Sequence, residues 1–305
     1  MKRLWIALAI LILIVVVQSC GLPEPQVFLS PLPSPTPLAN TKGIGATSAG
    51  CLSYTCEDLE TLDLSWAFTW GGGVSICPGI EKVYMINDYQ KVVPQDLSMY
   101  SPWLLTFNEP EMYGGNGTTN PVWAANLWRK IELYWPEKFL ISPSIVYTYA
   151  PNCWWKSIMP TATCYWLDDW HSEYERIYGT APRIDALGGH CYAVVVPDAQ
   201  LLTACSTMVD YLNSKATEWG VTGGIWMNEF GPTPNPNQAE MHKQLLETMF
   251  YFNSQPEVRR IAIWTLRLAT WPTMNTLECN GIQPTSYGAV YRSEIHTVFM
   301  PMINK

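Results

Sequence analysis

Apolar residues along this chain come in short unbroken runs, without the alternation of a half-solvated strand. Gly43 to Ala46, Leu62 to Phe68, Lys82 to Ile86, Trp103 to Phe107, Phe139 to Ser142, Ile184 to His190, Gly224 to Asn228 and Ile261 to Leu266 make eight. Continuous apolar strands are expected where both faces of a sheet are covered, as in parallel sheets flanked by helices. Longer stretches between them carry the helical period. Pro121 to Tyr134 opens with proline in its first turn and sets Trp123, Leu127, Ile131 and Tyr134 at helical spacing. Trp166 to Ile177, Ala199 to Trp219 and Asn237 to Asn253 behave alike. Eight strands alternating with helices over about 260 residues predict a (β/α)8 TIM barrel. Gly43 to Lys82 leaves little room for full helices, so an imperfect barrel with weak early helices is expected. Two doubly wound halves are the alternative fold.

Two of the runs end in the same way. Leu104-Leu105-Thr106-Phe107-Asn108-Glu109-Pro110 and Ile225-Trp226-Met227-Asn228-Glu229-Phe230-Gly231 each pass from apolar residues into Asn-Glu. A carboxylate at the end of a buried strand is costly unless solvated, paired or used. In a barrel the carboxyl ends of the strands converge on one face, so Glu109 on the fourth and Glu229 on the seventh are expected to face each other. Carboxylates about 5 Å apart suit double displacement at a glycosidic bond, one protonating the leaving oxygen while the other attacks. Their pKa values must then be pushed apart. Glu111, past Pro110, is a decoy for the acid, and Asp168-Asp169 with Glu173-Glu175 read as a solvated helix face.

Composition narrows the partners. Charged residues make up 14% and aromatics 13%, with fifteen Trp and sixteen Tyr, and there is neither a charge run nor a basic patch. Disorder and nucleic-acid binding are disfavoured. So many aromatics exceed the needs of a core, and exposed in a cleft they are what sugar rings stack on.

The N-terminus reads as a targeting segment, residues 1–20. Lys2 and Arg3 precede fourteen apolar residues, Leu4 to Val17, too few for a membrane span, and Ser19-Cys20 has the form of a lipoprotein cleavage site. Export with a lipid on Cys20 is one expectation and plain secretion the other; the lipid would be the sole tie to a membrane. Residues 21–40, dense in proline, form an extended spacer. The catalytic domain is expected over 41–305, as a monomer. With Cys20 set aside, eight cysteines fit four disulfides in an oxidising compartment, with Cys51–Cys56 and Cys153–Cys164 as local pairings. No paired Cys-x-x-Cys occurs and the four His are scattered, so no metal is expected, and no cofactor.

Leu104 to Glu111 resembles the signature of glycoside hydrolase family 128, within the clan A barrels. Ser65-Trp66-Ala67-Phe68-Thr69-Trp70-Gly71 is similar to that family's second strand, Ile141-Ser142-Pro143-Ser144 to its fifth, Gly189-His190-Cys191-Tyr192 to its sixth, and Ile225 to Gly231 to its seventh. The resemblance implies a retaining endo-β-1,3-glucanase. It implies Glu109 as acid/base, Glu229 as nucleophile, Asn108 on the sugar 2-hydroxyl, Tyr192 orienting Glu229 and His190 lining the floor. Trp66, Trp70 and Trp264, at or near strand ends, would be sugar platforms. Two departures stand out: Asn228 replaces the family's usual Thr, and Tyr84 to Tyr89 lacks its Pro and Trp pattern. Both touch the cleft and leave linkage and subsites open. A carbohydrate-binding barrel without turnover, or a clan A hydrolase acting on xylan or mannan, are the alternatives.

Overall fold

The computed structural model describes residues 41–46, 54–70, 77–87, 89–112, 120–193, 200–232, 237–264, 275–279, 281 and 283–292. The targeting segment, the spacer and Cys51 lie outside them. No helix among the described residues is long and apolar enough to cross a membrane.

Eight strands form one parallel sheet: β1 (Thr41–Gly45), β2 (Trp66–Trp70), β3 (Glu81–Ile86), β4 (Trp103–Asn108), β5 (Phe139–Ser144), β6 (Leu187–Tyr192), β7 (Ile225–Gly231) and β8 (Val258–Ile263). Their order is β5-β4-β3-β2-β1-β8-β7-β6, and the parallel bridges Ile141–Ala186 and Ile145–Gly189 bring β5 against β6. The ring is therefore nearly closed, and the architecture is a (β/α)8 barrel. Direct pairing of β1 with β8 leaves no place for two doubly wound halves. The helices are α1 (Cys56–Thr61), α2 (Pro121–Tyr134), α3 (Trp166–Tyr178), α4 (Leu201–Trp219), α5 (Gln238–Ser254) and α6 (Ser286–Arg292). As the short early spacings required, α1 has only six residues and β3 is followed by a 3₁₀ turn, Tyr89–Lys91.

Local sequence explains the boundaries. The Asn120 side chain accepts from Trp123 N at 2.9 Å and Pro121 occupies the first turn, so α2 starts where its periodicity began. Gly179, at φ 69°, takes the left-handed turn that ends α3. The second strand starts at Trp66 and not at Leu62, because Leu62 caps α1 and Asp63 turns with φ 53°. The eighth begins at Val258, three residues ahead of the apolar run, and Leu266 falls outside the described residues.

The barrel interior is filled by Trp66, Phe68, Val83, Met85, Trp103, Leu105, Ile141, Ala186, Trp226 and Ala262. Trp226 packs on Trp66 and Trp103, with ring centroids 5.3 and 5.1 Å away. The Arg260 guanidinium lies 4.3 Å from Trp226 and pairs with Glu81 at 2.6 Å. Eight of the described tryptophans are buried, so most of the tryptophan excess serves packing.

Disulfides join Cys56–Cys77, Cys153–Cys164 and Cys191–Cys205, and Cys279 is also bonded. The Cys153–Cys164 expectation holds. Cys51–Cys56 does not, because Cys56 bridges from the start of α1 to the residues leading into β3. The solvated face expected on α3 is also corrected in part: Asp169 is buried, accepting from Trp155 Nε1, Thr163 N and Cys164 N, and Glu173 is buried against Arg176.

Candidate active site

Strict alternation along a strand would send Asn108 and Glu109 to opposite faces, and likewise Asn228 and Glu229. The structure escapes this through pairing irregularities at the level of the carboxylates. Register shifts occur between Thr106 and Asn108, between Gly189 and His190, and between Met227 and Phe230. Such shifts re-aim side chains next to active sites. Glu109 adds a left-handed backbone, φ 45°. For a residue with a side chain this costs about 1–2 kcal/mol, so surrounding contacts must hold it. Glu109 N donates to Ser144 O at 2.9 Å, Asn108 N to Asn87 O at 3.1 Å, and Met112 N to Glu109 O at 3.1 Å.

The two carboxyls meet at the mouth, where Glu109, His190 and Glu229 each offer an atom within 4.8 Å of the others. Their surroundings differ. The Glu229 side chain is 4% exposed and the Glu109 side chain 22%. Glu229 Oε2 accepts from Tyr192 OH at 2.5 Å, and Oε1 accepts from Trp70 Nε1 at 2.8 Å. The same indole N–H lies 3.1 Å from Asn108 Oδ1. Burial pushes the Glu229 pKa up and the Glu109 charge adds to that; His190 and the two donors pull it back. Three ligand-type atoms this close could hold a cation, yet each is already engaged by hydrogen bonds within the site.

His190 is fully buried between the carboxyls. Its Nδ1 is 3.0 Å from Glu109 Oε1, while its Nε2 is 3.0 Å from Asn228 Nδ2 and 3.6 Å from Glu229 Oε1. Two influences compete here. Burial opposes charge on the ring, but the carboxylates of Glu229 and Glu109 outweigh it and raise the pKa. Against them, Ser144 Oγ donates to Asn228 Oδ1 at 3.0 Å, which turns the amide nitrogen toward Nε2, and only an unprotonated Nε2 accepts from it. With the amide placed so, the neutral ring that satisfies both contacts is the one with its proton on Nδ1, toward Glu109. The Asn228 departure thus lies against the buried histidine, between its Nε2 and Ser144 Oγ.

Of the residues singled out from sequence, Glu109, Glu229, Asn108, Trp70, His190 and Tyr192 converge on the mouth. Trp264 is half-buried beside them, its ring edge-on to Tyr192 at 6.0 Å. Trp66 does not belong with them. It is fully buried inside the barrel, two residues short of Phe68 and four short of Trp70 on the same inward row, so it is core and not a sugar platform. His190 touches Glu109 but is fully buried, beneath the cleft floor it was expected to line. Sequence reasoning missed Ser144, whose small size carries no signal, and found no contact for Glu111 beyond its being a decoy; Glu111 is buried and bonded to the segment after β5.

A barrel with paired carboxylates of unequal environment at its carboxyl-end mouth defines a glycoside hydrolase-type site. A family profile described as Glycosyl hydrolase catalytic core matches residues 46–291, and the chain belongs to that family. Solved structures share the fold. One is a family 128 subgroup I endo-β-1,3-glucanase from Amycolatopsis mediterranei in complex with laminaritriose: 23% identity, 83% of this chain and 99% of that one, TM-score 0.63. A subgroup II endo-β-1,3-glucanase from Pseudomonas viridiflava is similar over 84% and 98%, with 20% identity and TM-score 0.60. A subgroup III curdlan-specific exo-β-1,3-glucanase from Blastomyces gilchristii, in complex with glucose, is similar over 85% and 100%, with 19% identity and TM-score 0.61. No curated protein matches in sequence.

Proposed function

We propose that this chain is an exported retaining endo-β-1,3-glucanase of the family 128 type, with Glu109 as general acid/base and Glu229 as nucleophile. The observation that carries the reading is the pair of carboxyls with oxygens within 4.8 Å, one buried among donors and the other open to the cleft. Retaining enzymes hold their carboxyls about 5–5.5 Å apart, whereas inverting ones leave about 6.5–9.5 Å for a water. Three neighbours named for β-1,3-glucan hydrolysis support the substrate class, and the two endo enzymes among them suggest cleavage within the chain.

In this reaction the glucan lies across the mouth. Tyr192 and Trp70 hold Glu229 as a carboxylate, and hydrogen bonds to a charged group contribute about 1.5–3 kcal/mol each against its burial. Glu229 attacks the anomeric carbon. His190 Nδ1–H occupies Glu109 Oε1, leaving the proton of the neutral acid on Oε2 for the departing glycosidic oxygen. The bond to the leaving sugar breaks as the bond to Glu229 forms. Glu109, now ionised, takes a proton from water, the hydroxide oxygen attacks the same carbon, and Glu229 leaves with its charge restored. Asn108, next to both carboxyls, is the contact for the 2-hydroxyl. The half-buried rings of Trp70 and Trp264 are the platforms. At the other end of the chain, a lipid on Cys20 and the proline-rich spacer would hold the enzyme at the cell surface.

Wild type should release oligosaccharides from laminarin, and Glu229→Ala and Glu109→Ala should each lose at least ~10³-fold in kcat/KM. Full activity in Glu229→Ala contradicts the reading.

A further inference from the structure

Glu111 is buried two residues beyond Glu109, and the reaction above gives it no part. Its Oε1 accepts from the backbone N–H groups of Val146 and Tyr147, the latter at 2.9 Å, while its Oε2 is buried without a hydrogen-bond partner. A buried polar group left half-paired costs about 1–3 kcal/mol, and more when charged. A carboxyl in that place calls for a reason, and Ser144 to Tyr147 supplies it. Ser144 O receives Glu109 N at 2.9 Å, and Ile145 O receives His190 N at 2.8 Å. Ser144 Oγ orients Asn228, and the next two residues donate to Glu111. Four consecutive residues thus hold the acid, its histidine and the amide behind that histidine. Trp154 Nε1 pins the turn from outside, donating to Glu111 O at 3.0 Å.

We infer that Glu111 is a positioning residue for Glu109: it clamps the turn after β4 to Ser144–Tyr147 and so holds the left-handed Glu109 with its carboxyl against His190. The role rests on the glucanase reading. Three titratable groups face Glu111: Glu109 on its own turn, Tyr147 on the segment after β5, and His190 on β6. Burial lifts the Glu111 carboxyl to about 7, against the pull of the Tyr147 and Val146 N–H groups.

The test compares laminarin, whose sugar leaving group needs a proton, with 2,4-dinitrophenyl β-laminaribioside, whose leaving group does not. Glu111→Ala should lose on the order of 100-fold in kcat/KM on laminarin and less than about 5-fold on the dinitrophenyl substrate. Glu111→Gln keeps the acceptor oxygen and the volume but not the charge. With that acceptor in place the clamp on Val146 and Tyr147 persists, so it should stay within about 5-fold of wild type on both substrates. Equal losses on both substrates, or no loss on either, overturn the positioning role. So does a folded Glu111→Gln that loses on the order of 100-fold on both substrates, a comparison that stands even if Glu111→Ala fails to fold. Wild type inert on both substrates overturns the glucanase reading itself, and the role with it.

Discussion

Tyr192 donates to Glu229 Oε2 at 2.5 Å in a site where burial pushes the pKa of that carboxyl up. Tyr192→Phe removes a donor that favours the ionised form, so the Glu229 pKa rises further and the acid limb of kcat/KM moves to higher pH. The loss should be about 10²-fold below neutrality and smaller above it, read from a pH–rate profile. The Asn228 amide makes a second residue-scale case. Asn228→Asp offers Nε2 only acceptors, so His190 moves a proton there and its neutral form no longer donates to Glu109. The expected result is a fall in kcat on laminarin with little change in KM, and in Nε2 bearing a proton by nitrogen-15 shifts. The meeting of both carboxylates was legible in the sequence because strand-end Glu is a local feature, and that of Tyr192 through the family resemblance of Gly189 to Tyr192. The orientation of the Asn228 amide was not, since it depends on Ser144, 84 residues away in sequence.

At the scale of elements, the site depends on where strands depart from regular pairing. Gly188 on β6 shows how little room there is: a Cβ there would lie 2.6 Å from Ser144 Oγ and 3.0 Å from Ser142 O. Gly188→Ala should destabilise by about 1–3 kcal/mol and weaken activity through Ser144, measured by thermal melts alongside laminarin assays. Counting apolar runs placed the eight strands and four long helices because burial on both faces writes itself into composition. The same counting could not tell which Trp faces the cleft. Trp66 and Trp70 sit on one inward row of β2, and only depth in the barrel separates core from mouth. Trp66→Ala should therefore lose about 3–5 kcal/mol of stability. Trp264→Ala should leave the Tm nearly unchanged and raise KM for laminarin roughly five- to tenfold, about 1–1.4 kcal/mol of lost stacking.

Across the whole molecule, a nearly closed parallel barrel brings residues from β2, β4, β6 and β7 to one mouth, and disulfides tie its connecting segments. Cys153–Cys164 staples the segment between β5 and α3 that follows Tyr147. Its removal by paired serine substitution should cost about 2–4 kcal/mol and lower the Tm by several degrees. The Cys56–Cys77 bridge was illegible in the sequence, because pairing depends on which loops the barrel brings together and not on spacing. The proposed division of labour gives the buried carboxyl among donors, Glu229, the attack, and the carboxyl beside the histidine, Glu109, the proton. Incubation with 2,4-dinitrophenyl 2-deoxy-2-fluoro-β-laminaribioside, followed by peptide mass spectrometry, tests that division of labour most directly. A fluorolaminaribiosyl group bound to Glu229 is the predicted result, and a label on Glu109, or activity on laminarin with no labelled carboxylate at all, would contradict it.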